Sequence, residues 1–185
     1  PITVTPSNTA TAGVCLPTAG AEEFGDMYFF NLFDNHADSL SGNYYDPEVA
    51  AEIAKIADKR TVRMVDHYTA LTPVNDGFEV GMTYANYNIN VYTKNPQRYI
   101  QELAEYQAAA NQNGFEDVTL GAFEINSGDY TGQIMVVIQA PTAVRLGEFF
   151  YAGEEAWNVA ASAKFPKLRK LKRGFLMTCE IVYAR

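Results

Sequence analysis

Histidine is nearly missing from this chain: His36 and His67 are the two it has. Any chemistry that needs an imidazole therefore has two places to go. Cysteine is as scarce. Cys15 and Cys179 are too few and too far apart to be the disulfide framework of a small secreted domain, and neither CxxC nor zinc-finger spacing occurs. No stretch approaches 18 consecutive apolar residues, so no helical membrane span is expected. Cations are outnumbered, 14 Lys and Arg against 22 Asp and Glu, for a formal net charge of -8. Such a surface repels nucleic acid and anionic lipid, which excludes both as general partners. Glycine-rich phosphate loops, a nucleophile elbow, HExxH and the dinucleotide fingerprint are all absent, which disfavours the common nucleotide-binding and hydrolase classes.

What remains is an ordinary globular composition. Hydrophobic residues make up 48% of the 185 positions and charged residues 19%, enough to bury a core without staples. Residues 1–25 are rich in Pro, Thr, Gly and Ala without period and predict an arm draped over the domain. DMYFFNLFD (26–34) suits a strand, 34–45 a turn, and DPEVAAEIAKIADKR a helix with Asp46 as cap and Pro47 first. TVRMVDHYTALT (61–72) predicts a strand, and Asn75-Asp76-Gly77 a turn. Residues 77–95 also predict a strand, but their apolar phase changes from even positions (Phe78, Val80, Met82, Tyr84) to odd ones (Tyr87, Ile89, Val91). That places a bulge or turn near Asn86. NPQRYIQELAEYQAAANQNG (95–114) is the clearest helix, opened by Asn95 and Pro96 and closed by Gly114. Two strands joined by Asn-Ser-Gly (116–125 and 129–140), a helix over 142–165 and a strand over 170–183 complete the chain.

From residue 87 the order is β-α-β-β-α-β, a complete ferredoxin-like unit (87–185). Residues 26–86 give most of another, all within one compact α+β domain. In this order of elements the chain resembles the dimeric α+β barrel superfamily, in which two ferredoxin-like sheets close into a barrel. The resemblance implies a homo-oligomer or an internally duplicated chain. It departs from the family in lacking a second helix in the first unit, which puts full closure of the barrel in question. Members place His, Asn, Tyr or Trp in a cleft between sheet and helices for cofactor-free oxygenation, haem chemistry or ring closure. No residue pattern here matches theirs closely enough to carry a role across.

The residues themselves offer a few candidates. His67 can act as acid or base. In a strand it shares a face with Arg63, Val65, Thr69 and Leu71, while Asp66 and Tyr68 point the other way and cannot orient its ring. Tyr28, Asn31, Tyr84 and Trp157 are the expected lining of an aromatic cleft, the two polar groups Tyr28 and Asn31 orienting a ligand and Trp157 forming a wall. The same aromatics could simply fill a core. His36, between Asp34 and Asp38, lacks the glycine and distal glutamate of a calcium loop, and no metal site or cofactor is assigned. Cys179 lies in an alternating run with Phe175, Met177 and Ile181 and reads as a buried core thiol; whether Cys15 meets it is open. Lys164, Lys167, Arg169, Lys170, Lys172 and Arg173, six of the 14 cations, could grip a phosphate or an acidic partner, but Lys170 and Lys172 lie opposite Leu171, so part of the run reads as a solvated edge that discourages sheet-to-sheet pairing.

The expected function is binding of a small apolar or aromatic ligand. If the chain is an enzyme, the expected reaction is cofactor-free proton transfer or oxygenation of an aromatic or polyketide-like compound, with His67 as acid or base. The alternative is a non-catalytic assembly protein that uses its N-terminal arm. Pro1 resembles the catalytic terminus of tautomerases, but the residues after PITV do not continue in that pattern. A cytoplasmic location is expected, with export after leader removal as the other possibility.

Overall fold

A computed structural model describes residues 8–41, 47–74 and 77–185. Pro1, the Asp46 cap and the Asn75-Asp76 turn lie outside the described residues. Seven strands make one antiparallel sheet: β1 (Thr11–Ala19), β2 (Tyr28–Leu32), β3 (Tyr68–Ala70), β4 (Thr83–Tyr92), β5 (Thr119–Ile125), β6 (Ile134–Ala140) and β7 (Lys170–Ala184). Their spatial order is β2-β1-β7-β4-β6-β5-β3. The helices are α1 (His36–Ser41), α2 (Pro47–Ala54), α3 (Pro96–Gln112), α4 (Ala143–Tyr151), α5 (Ala156–Ser162) and α6 (Phe165–Leu168). No described helix is long and apolar enough to cross a membrane.

The core lies between one face of the sheet, here the outer face, and α3 to α6. Ala85, Ile89 and Val91 of β4 meet Val136, Ile138 and Ala140 of β6, with Tyr99, Leu103 and Tyr106 of α3 and Leu146 and Phe149 of α4 packed over them. α3 forms where its caps dictate: the Asn95 side chain accepts from the Arg98 amide, Pro96 opens the first turn, and Gly114 follows in the left-handed region (φ 83). Charge is buried there too. Glu102 of α3 is held by Arg98 and by Lys164, the latter at 3.0 Å.

Several expectations are corrected. Thr11–Ala19 is not an arm but a strand, paired with β2 on one side and β7 on the other. Its two-sided hydrogen bonding, which no local period reveals, makes it a strand. The 34–45 turn contains α1, and β3 covers only three residues of the strand expected over 61–72. The helix over 142–165 breaks at Glu155, whose extended backbone (φ -70, ψ 147) separates α4 from α5. β4 runs through Asn86 unbroken, and the bulge falls opposite β7 between Asn90 and Val91. Cys179 is not a free thiol: β1 and β7 set Cys15 opposite Cys179, and the two form a disulfide. Part of the cation run is an edge, as expected. β1 pairs with residues 176–184 of β7 and β4 with residues 170–180, so residues 170–174 have β4 on one side alone and only 176–180 lie between two strands.

Candidate functional site

The second face of the sheet is also covered, although α3 to α6 pack on the first. The sheet curls until its two end strands approach each other, Tyr28 of β2 coming within electrostatic range of Tyr68 of β3. Ion pairs bridge the segments beside them: Arg63, just before β3, binds Asp26, just before β2, at 2.6 Å. The enclosed inner face carries Tyr84, Asn86, Asn88 and Asn90 from β4. Register sets Cys179, Met177, Phe175 and Arg173 of β7 opposite them in that order. Tyr28 stacks on Phe175 with ring centroids 5.3 Å apart, and Phe78 lies against Tyr84.

At one end of this face polar groups converge. The Arg173 guanidinium donates to the hydroxyls of Tyr28 (2.9 Å) and Tyr130 (3.4 Å), to the Gly20 carbonyl and to Glu22. It also lies over the Phe175 ring, 4.9 Å from its centroid. Asp66 and Tyr68 share the neighbourhood and are hydrogen-bonded, the phenol donating to the carboxylate. Burial lifts the Asp66 carboxyl above the usual carboxylate range against that hydrogen bond, and Asp129 adds to the rise. Burial and the Asp66 charge push the Tyr68 hydroxyl up to about 12. One oxygen of Asp66, Oδ1, is buried with no partner among the described residues. Gly128 closes over it at positive φ (80), and a Cβ there would fall 1.9 Å from that oxygen, so the close approach needs glycine.

Further in, the polar groups are amides. Asn86, Asn88 and Asn90 are 7%, 6% and 4% exposed, and none of their Oδ1 atoms has a hydrogen-bond partner among the described residues. The Asn86 amide nitrogen faces Cys179 Sγ at 3.7 Å and that of Asn88 faces Met135 Sδ at 3.5 Å. Carboxamides are seldom left this way in a protein interior.

The residues chosen from sequence are divided by this geometry. Tyr28 and Tyr84 stand on the inner face. Asn31 alternates away from Tyr28 and Phe30 along β2 and points to the other side. Trp157 packs on Tyr106 and Phe115 beyond the outer face and donates to Glu155 (2.7 Å), so it cannot wall the same cleft. His67 just precedes β3 and alternates away from Asp66 and Tyr68. Its Nε2 meets Ser39 Oγ at 3.0 Å, its Nδ1 lies 3.4 Å from Asn126 Nδ2, and its ring centroid is 5.5 Å from that of His36. Around His36 the acids diverge, Asp38 to Asn8 and Asn35 and Asp34 to Arg185. No group of three or more potential metal ligands stands together among the described residues. Sequence reasoning passed over Asp66, Tyr68, Arg173 and the three asparagines. The NYNIN alternation was the available signal, and it read as a change of phase.

Recesses on the outer face are small, about 210 Å³ beside α4 and about 100 Å³ beneath α3. Both fall short of the several hundred Å³ usual for a ligand pocket. No family model matches the chain, and no curated protein does. Among solved structures it is similar to the crystal structure of a "putative monooxygenase" from Lactobacillus acidophilus, with 10% identity and a TM-score of 0.55 over 95% of this chain and 78% of that one. At that identity the likeness establishes a shared mixed α+β fold.

Proposed function

We propose that the chain binds a small, largely aromatic molecule on the inner face of its sheet and moves a proton on it, with Asp66 as the acid or base. The observation that carries this reading is the Asp66–Tyr68 pair: a carboxyl whose proton affinity is raised by burial, oriented by a phenol, with one oxygen unengaged among the described residues. A base is most effective when its pKa lies close to the working pH, and burial moves a carboxyl in that direction. Tyr28, Tyr84 and Phe175 supply apolar walls and Arg173 a fixed positive charge beside the reacting group. Withdrawing a proton from an enolisable ring leaves an electron-rich anion, the form that reacts with oxygen. Proton transfer and oxygenation thus begin at one base, without a cofactor.

The fold neighbour's description as a monooxygenase supports small-molecule chemistry over an assembly role. In this reading β4-α3-β5-β6-helices-β7 is one ferredoxin-like unit, and the strand order β7-β4-β6-β5 supports it. The earlier strands continue its sheet towards a barrel. The Cys15–Cys179 disulfide favours export over a cytoplasmic location, because such bonds persist in oxidising compartments. Native mass spectrometry of the protein from its own host tests the binding half and counts subunits in the same run, which also tests the expected homo-oligomer. A retained small molecule is expected, which Asp66→Asn still binds but no longer converts. Conversion lost in His67→Ala and kept in Asp66→Asn would return the role to the histidine.

A further inference from the structure

We propose that Asn86, Asn88 and Asn90 form a row of hydrogen-bond acceptors for a ligand that carries O–H or N–H donors along its length. This rests on the reading that the inner face takes a small molecule, and it adds the chemistry that molecule must present. Three carboxamides in alternation on one strand, each more than nine-tenths buried, leave three carbonyl oxygens without a partner among the described residues. Apolar side chains of the same shape would fill these positions without that penalty. Violations of this kind gather where a site serves a guest rather than the fold.

The orientation of two of the amides says which half is left to a ligand. The N–H groups of Asn86 and Asn88 are turned to sulfur, a weak acceptor, on Cys179 and Met135. Rotating either amide would set a carbonyl oxygen against sulfur lone pairs, so the oxygens are the ends left to a ligand. The nearby cation does not serve them. Arg173, opposite Asn90 in register, is engaged by Gly20, Glu22, Tyr28 and Tyr130. Gln133 Oε1, at the start of β6, adds a fourth buried acceptor without a partner among the described residues.

Side chains two residues apart on a strand are separated by about 7 Å. The ligand that fits is therefore elongated and flat, apolar where it meets Phe175 and Met135, with donors spaced near that repeat. A ligand whose groups along the row are already deprotonated is disfavoured there, since it would bring acceptors to acceptors. The row leads from the disulfide at Asn86 to Arg173 at Asn90, so such a molecule would lie along β4 with one end beside the polar cluster.

Calorimetric titration of the full chain with 2,6-dihydroxynaphthalene and with 2,6-dimethoxynaphthalene tests this, because the two differ in their donors. The expected result is at least about tenfold tighter binding of the dihydroxy compound, the effect of one well-made hydrogen bond. Asn88→Leu should erase that preference, keep the binding of the dimethoxy compound, and melt no lower than wild type when unliganded. Equal binding of both probes by wild type overturns the acceptor row and leaves the small-molecule reading standing. A less stable Asn88→Leu with the preference intact also overturns it, and identifies the row as a hydrated structural feature. No binding of either probe, together with a ligand-free native mass spectrum, overturns both. If Asn88→Leu does not fold, the two probes on wild type still decide.

Discussion

Along β4, Ala85, Tyr87, Ile89 and Val91 face the helices, and Tyr84, Asn86, Asn88 and Asn90 face the other way. The first set is packed as a core should be, aliphatic against aliphatic and closed by α3 and α4. The second is just as buried but mixes tyrosines, sulfur and amides whose oxygens have no partner among the described residues, with a charged cluster at one end. One strand thus serves two interiors of opposite chemistry. Burial alone does not mark a core: the outer face is built for stability, and the inner face carries polar groups that lower it.

The largest effect that would test this contrast is in the helix layer. Leu103→Ala should lose about 2–5 kcal/mol by denaturant unfolding, as an apolar side chain deleted from a packed interior does. A loss under 1 kcal/mol would make the two faces alike and break the comparison. Next, reducing the disulfide or replacing both cysteines by serine should lose about 2–4 kcal/mol, because the bond closes a long loop and pins β1 to β7.

Asp66→Asn sharpens the contrast by pH. The folded pKa of Asp66 is raised, so the folded state binds its proton more tightly than the unfolded chain does. Below the unfolded value of about 3.9 both states are protonated, and the variant should melt with wild type. As pH rises through the folded pKa, the ionised carboxylate destabilises wild type, and Asp66→Asn should melt higher at neutral pH. The same melting point as wild type at every pH would remove Asp66 from the list of perturbed groups. The smallest effect is expected of His67→Ala, about 1 kcal/mol for its part-buried hydrogen bond to Ser39, with no change in what the inner face binds.

Much of the second half of the chain was legible because its signals are local. Asn95-Pro96 and Gly114 bracket α3, and the helical stripe Tyr99, Leu103, Tyr106 and Ala110 is the one that becomes buried. The site was legible only in part. Alternation along 66–68 separated His67 from its neighbours, which the geometry bears out, yet chemical habit favoured the imidazole over the acid and phenol on the other side. Asn86 read as a slip of phase because a strand buried on both faces has no polar side by which to set its register.

By itself the sequence determined the ends of α3, the buried stripe along it and the succession of strands from β4 onward, since caps and periods act over a few residues. Only the tertiary structure decided that Thr11–Ala19 is a strand, that Cys15 meets Cys179, and that Asp66, Tyr68, Tyr28 and Arg173 come together. These are pairings between segments far apart in the chain. They depend on which strands lie side by side and on how far the sheet curls, and neither is written in the spacing of neighbouring residues.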